Sequence, residues 1–193
     1  TTGAGAATWT GTRLGDAKGN SGITFTTGVD KFYVGGTANW NGSVWALTTG
    51  GAGAINNYPL PQDTAIFDAN SFSANSQTIS MGAANRLPTV DFSAMTNRTG
   101  ITWNHNVAST LYGDLKLTTA TGFALTYDGV MTFSGRNTQS ITSNGVVPGG
   151  GLTRSLVIDS LGGSLQLADA LTMGSTHTIN LTTGTLDLNG FAL

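Results

Sequence analysis

The sequence predicts an all-β chain, a β-solenoid resembling a parallel β-helix, preceded by a loop-rich N-terminal β region. Three observations predict it. Apolar and polar residues alternate in short runs, which gives each run one buried and one solvated face. Gly and Asn break the runs at close intervals, so the segments are strand-sized and the connections are corners. The residues that build long helices are scarce: there is no Glu among 193 residues, charged residues make up 9%, and 28 positions are Gly. A β-sandwich would use the same strands and is the alternative arrangement.

Taken in chain order, the N-terminal half offers strand candidates at residues 23–26, 31–34, 64–68, 78–81 and 89–92, between Gly/Asn/Ser-rich loops. It also holds three of the four Trp, at Trp9, Trp40 and Trp45, with Trp103 following. Pro59 and Pro61 mark a turn into Asp63. A boundary near residue 98 divides the chain into a loop-rich, Trp-containing region at 1–98 and a short-strand, solenoid-like region at 99–193, or the two form one continuous domain.

In the second half, Leu115 and Leu117 flank Lys116, Leu165 and Leu167 flank Gln166, and Ile179 and Leu181 flank Asn180. Each run reads as a half-buried strand. Phe123, Leu125 and Tyr127 alternate up to Asp128-Gly129, after which Met131 and Phe133 alternate up to Ser134-Gly135. An Asp-Gly step readily supplies the positive φ of a tight turn. Leu186 and Leu188 share a parity that shifts at Asn189-Gly190 to Phe191 and Leu193, which means a corner there. Thr-Thr-Gly recurs at Thr26-Thr27-Gly28, Thr48-Thr49-Gly50 and Thr182-Thr183-Gly184, a weak internal similarity that suits stacked coils.

Composition also narrows the function. With 39% hydrophobic residues the chain can bury enough surface to fold. A net charge of −2 and eight basic residues scattered singly argue against a nucleic-acid partner. No Cys is present, which removes disulfides, thiolate metal sites and Cys nucleophiles. No apolar run approaches the roughly 18 to 20 residues that span a bilayer, so membrane insertion is not expected. The absence of a Met start, and an ending inside a strand-like pattern at Leu193, read as an excerpt from a longer chain.

Several residues invite a chemical reading. Asp63 and Asp68 are the nearest pair to the two carboxylates of a glycan hydrolase, and Asp114, Asp128 and Asp159 could meet across successive coils. Asp at turns and strand ends more commonly accepts backbone hydrogen bonds, which is the reading preferred for all five. His105 and His177, the latter outward by alternation, lack the neighbours of a triad or a metal site and read as surface polar residues. The chain is therefore expected to be no enzyme and to need no cofactor. Calcium is the one ion that hard oxygen ligands would favour, in the loops Asp16-Ala17-Lys18-Gly19-Asn20 and Pro61-Gln62-Asp63. Tyr33, Trp40, Trp45 and Tyr58 admit two readings: exposed rings that stack on the apolar faces of sugars, or rings that close the core or cap an end of the solenoid.

Two stretches carry a resemblance. The first runs from Gly15-Asp16-Ala17-Lys18-Gly19-Asn20-Ser21-Gly22-Ile23-Thr24-Phe25-Thr26 through Phe32-Tyr33-Val34-Gly35-Gly36-Thr37-Ala38-Asn39-Trp40, Trp45 and Gly50-Gly51 to Pro59-Leu60-Pro61-Gln62-Asp63-Thr64-Ala65-Ile66-Phe67-Asp68. The second comprises Leu161-Gly162-Gly163-Ser164-Leu165-Gln166-Leu167-Ala168-Asp169-Ala170-Leu171 and Thr183-Gly184-Thr185-Leu186-Asp187-Leu188-Asn189-Gly190. In this order they resemble long, repetitive, Gly/Thr/Asn-rich β-solenoid-like proteins of tailed phages and related bacterial surface adhesins. Phe32-Tyr33 stands where Tyr-Trp is usual, and Ala17 stands where related segments often carry Cys.

The resemblance implies a structural and adhesive module of a virion appendage such as a tail fibre. It would be located in the virion or at a cell surface, be assembled as a homo-oligomer, often a trimer, with other virion proteins, and contact host surface polysaccharide. A bacterial adhesin repeat and a glycan depolymerase are the alternatives.

Overall fold

A computed structural model describes residues 11–83, 85–127, 129–148, 155–175 and 177–193. Trp9 and Asp128 lie outside the described residues. The described chain is all-β and winds into a solenoid of about five turns.

Three ladders of parallel strands run along it. The first contains Asp30–Tyr33, Thr64–Ile66, Thr89–Asp91, Leu115–Lys116 and Thr138–Thr142, then the later halves of Leu156–Leu167 and Ile179–Asp187. The second contains Arg86–Leu87, Ser109–Leu111, Met131–Phe133 and the earlier halves of the same two long strands. The third contains Ala38–Asn39, Thr78–Ser80, Thr102–His105 and Ala124–Tyr127. A complete turn visits the third, second and first ladders in that order, as in Thr78–Ser80, Arg86–Leu87 and Thr89–Asp91. The first ladder passes from Thr89–Asp91 to Leu115–Lys116 without a break at residue 98.

The register explains the alternation. Ala65, Val90, Leu115, Ile141 and Leu167 stand one above another in the first ladder, each sealed from water. Leu87, Leu111, Phe133 and Ile158 do the same in the second, and Ile79, Trp103 and Leu125 in the third. Alternate side chains of these strands thus join columns through the core, because strand side chains alternate between faces. Burial of these columns is the main stabilising term.

Corners are made by residues that tolerate close approach or positive φ. Asn189 and Gly190 have φ of 51° and 80°, so the parity shift there is a left-handed corner as expected, and Asn144-Gly145 repeats it at 49° and 77°. The Asp128-Gly129 step, expected to supply a positive-φ turn, lies in part outside the described residues, at Asp128. At Gly129 the requirement is proximity, since a Cβ would lie 2.0 Å from the Val107 carbonyl carbon of the preceding turn.

Other expectations need correcting. Residues 23–26 form no strand beyond a bridge at Ile23, which is 38% exposed: the segment alternates but lies outside the columns. Parallel pairing starts at Asp30–Tyr33, with Thr64–Ile66. The three Thr-Thr-Gly words occupy unrelated places, since Thr182-Thr183-Gly184 lies within a strand and the other two in connections. The structural repeat is one of register, with the amino-acid words free to vary.

The ends of the solenoid differ. At the N-terminal end, Trp45–Ala46 pairs antiparallel with Asp30–Tyr33 and covers its edge. At the C-terminal end, Ile179–Asp187 stacks on Leu156–Leu167, and Leu181 is 54% exposed.

Candidate binding face and the fate of the predicted site residues

Tyr33, Trp40 and Trp45 are each 1% exposed or less. Trp40 and Trp45 meet edge to face at 4.8 Å between centroids, Tyr33 meets Trp45 at 5.3 Å, and Trp40 lies over Trp103 at 6.1 Å. Inside, Tyr33 Oη donates to the Gly36 carbonyl and Trp45 Nε1 to the Trp40 carbonyl. A sugar needs an exposed ring face, and these three rings offer none. They form the aromatic plug at the N-terminal end, which is the core-closing arrangement. Tyr58 is half-buried, and the Arg13 guanidinium sits 4.5 Å from its ring centroid.

Both histidines lie inside, against the surface reading. His105 is wholly buried, next to Trp103 and with Nδ1 3.3 Å from the Gly129 carbonyl. Burial pulls its pKa from 6.5 to about 4, while the contact with Gly129 acts in the opposite sense. His177 is 9% exposed and precedes the strand Ile179–Asp187. An inward imidazole keeps the strand alternation of Trp103-Asn104-His105-Asn106, so the pattern was present in a polar residue type.

The candidate carboxylates are acceptors in the framework. Asp63 takes hydrogen bonds from the backbone N–H of Val29 and of Leu60. Asp68 takes them from Asn70 N–H and the Thr49 hydroxyl, Asp114 from Ser140 N–H one turn away, and Asp159 from the Thr183 hydroxyl. In the proposed calcium loops, Asp16 accepts from Lys18 N–H and Asn20 Nδ2. Among the described residues no group of three or more His and Asp gathers to hold a metal.

A different set of residues is brought together at the surface. The outward positions of the second ladder, Arg86, Thr110 and Thr132, are in register on consecutive turns. With Asn85 and Ser109 they line a hollow of about 420 Å³. Asn85 and Arg86 also border a second hollow against Tyr58 and Pro59. A third, again about 420 Å³, lies at the adjoining corner between Lys18, Tyr112, Arg136 and Asp159. The segment at residues 11–20 links the three: Arg13 donates to the Tyr58 carbonyl, Gln62 holds Asp16 N–H and the Leu14 carbonyl, and Gly19 leaves room for Arg136.

Four of the eight basic residues, Arg13, Lys18, Arg86 and Arg136, therefore share one side of the molecule, and all four are exposed. Among the described residues none of them is ion-paired, the one such contact being Lys116 with Asp91. Reading along the chain separates these residues by up to 123 positions; only the stacking of turns gathers them. The face joins guanidinium and ammonium donors to hydroxyl and amide groups on a rigid ladder.

No protein-family model, no curated protein and no solved structure matches the chain.

Proposed function

We propose that the chain is a non-enzymatic structural and adhesive module of a surface appendage, of the tailed-phage virion kind that its sequence resembles. Through the face carrying Arg13, Lys18, Arg86 and Arg136 it holds an anionic polysaccharide. The gathering of these four cations beside Thr110, Thr132 and Asn85 carries the reading. Guanidinium groups recognise carboxylates and sulfates by paired hydrogen bonds, and hydroxyl and amide side chains suit sugar hydroxyls. The ladder lends rigidity, because each turn is fixed by those above and below it. Assembly into a homo-oligomer with other appendage proteins belongs to the same proposal.

The test is binding of an acidic capsular polysaccharide and of a neutral dextran, followed at low and high salt. Retention of the acidic polymer alone, weakened by salt and by the Arg86→Ala/Arg136→Ala pair, is the expected result. Equal binding of both polymers, or of neither, would overturn the proposal. New reducing ends during incubation would replace it with a depolymerase.

A further inference from the structure

Lys31 occupies an inward position of the first ladder, in register with Ala65 at the foot of the column that continues through Val90 and Leu115. It is 7% exposed. An amine there costs desolvation that an aliphatic side chain would avoid, so its place in the column calls for an explanation. Its Nζ lies 2.5 Å from Asn57 Oδ1. The other end of the same carboxamide is pinned, with Asn57 Nδ2 donating to the Trp45 carbonyl at 2.7 Å. A carbonyl bond of about 1.2 Å then puts the Asn57 carbon roughly 3.7 Å at most from the amine, close to a reacting distance.

We infer that Lys31 and Asn57 join in an intramolecular isopeptide bond, formed once the fold has brought them together. The neutral amine of Lys31 attacks the carboxamide carbon, forming the new C–N bond. Collapse of the tetrahedral adduct breaks the bond from that carbon to Nδ2, which leaves as ammonia and carries off a proton given up by Nζ. The step needs no oxidant, reductant or added reagent. Burial favours the uncharged amine by lowering the Lys31 pKa, against the pull of Asp63 and with a smaller push from Arg13. Asp63, held by the N–H groups of Val29 and Leu60, is the carboxylate whose charge reaches the amine. The bond would close a loop of 26 residues and fasten the connection over the aromatic plug to the first strand of the solenoid.

The test is the intact mass of the full, folded chain, followed by peptide mapping. The expected result is a mass lower by one ammonia than the sequence requires, with a branched peptide joining Lys31 to Asn57. Lys31→Arg and Asn57→Ala should each return the chain to its sequence mass. A wild-type chain that is folded and has its full sequence mass would overturn the inference, whether or not either variant folds. Ammonia loss that persists in Lys31→Arg would overturn it too, since Asn cyclisation without Lys31 gives the same mass.

Discussion

Phe67 and Phe92 lie face to face across two consecutive turns, with ring centroids 3.9 Å apart and planes 9° from parallel. Phe92 also meets Trp103 at 5.5 Å and Phe123 at 4.9 Å, and Phe67 meets Tyr33 at 5.1 Å. The aromatic plug is thereby continuous with the columns above it, so the end of the rod and its middle share one core.

Phe92→Ala should remove the ring at the centre of this chain of contacts. A loss of about 3 to 5 kcal/mol is expected, read from the shift in urea midpoint. The half-buried Lys116–Asp91 pair, 3.3 Å apart on neighbouring turns, supplies the contrast: Lys116→Ala should cost about 1 kcal/mol or less.

His105 makes stability depend on pH. Its folded pKa of about 4 lies below the ordinary 6.5, so between these values the unfolded chain binds a proton that the folded chain refuses. Its contribution is intact above about pH 6.5 and is lost as pH falls toward 4, by about 3 kcal/mol in all. Urea midpoints measured at pH 7.5 and 4.5 should fall apart in wild type and draw closer in His105→Leu.

Asn144 and Asn189 are equivalent corner residues. Asn144 Nδ2 donates to the Leu117 carbonyl one turn below, and Asn189 Nδ2 donates to the Leu167 carbonyl in the same way. Both have positive φ. Asn144→Ala should lose the hydrogen bond and strain the backbone, costing about 2 kcal/mol, whereas Asn144→Gly should lose about 1. Thermal or urea unfolding of the two variants checks the order.

Much of this arrangement can be read along the chain, for reasons that lie in particular residues. Leu115, Leu165 and Leu167 are buried at the alternate positions that the sequence marks, and the Asn189-Gly190 parity shift marks a true corner. Thr102–His105 escaped notice because one of its two inward residues is a histidine. Residues 23–26 show the opposite case: an alternating Ile-Thr-Phe-Thr run gains nothing when no column lies beneath it. Exposure of Trp40 and Trp45 could not be judged from loop-rich sequence, because the loops themselves fold over the end of the core. The basic face was invisible for a related reason, since Arg86 and Arg136 become neighbours of one groove system only through the stacking of turns.

In-register stacking of turns underlies the columns, the plug and the basic face alike, and the absence of native Cys allows a direct measurement. Thr110 and Thr132 are register partners on adjacent strands, which run about 4.8 Å apart, within the span a disulfide bridges. Under mild oxidation Thr110→Cys/Thr132→Cys should form an intramolecular disulfide, and Thr110→Cys/Ser134→Cys, displaced along the strand, should not. Equal crosslinking of the two pairs, or of the displaced pair alone, would contradict the stacked solenoid.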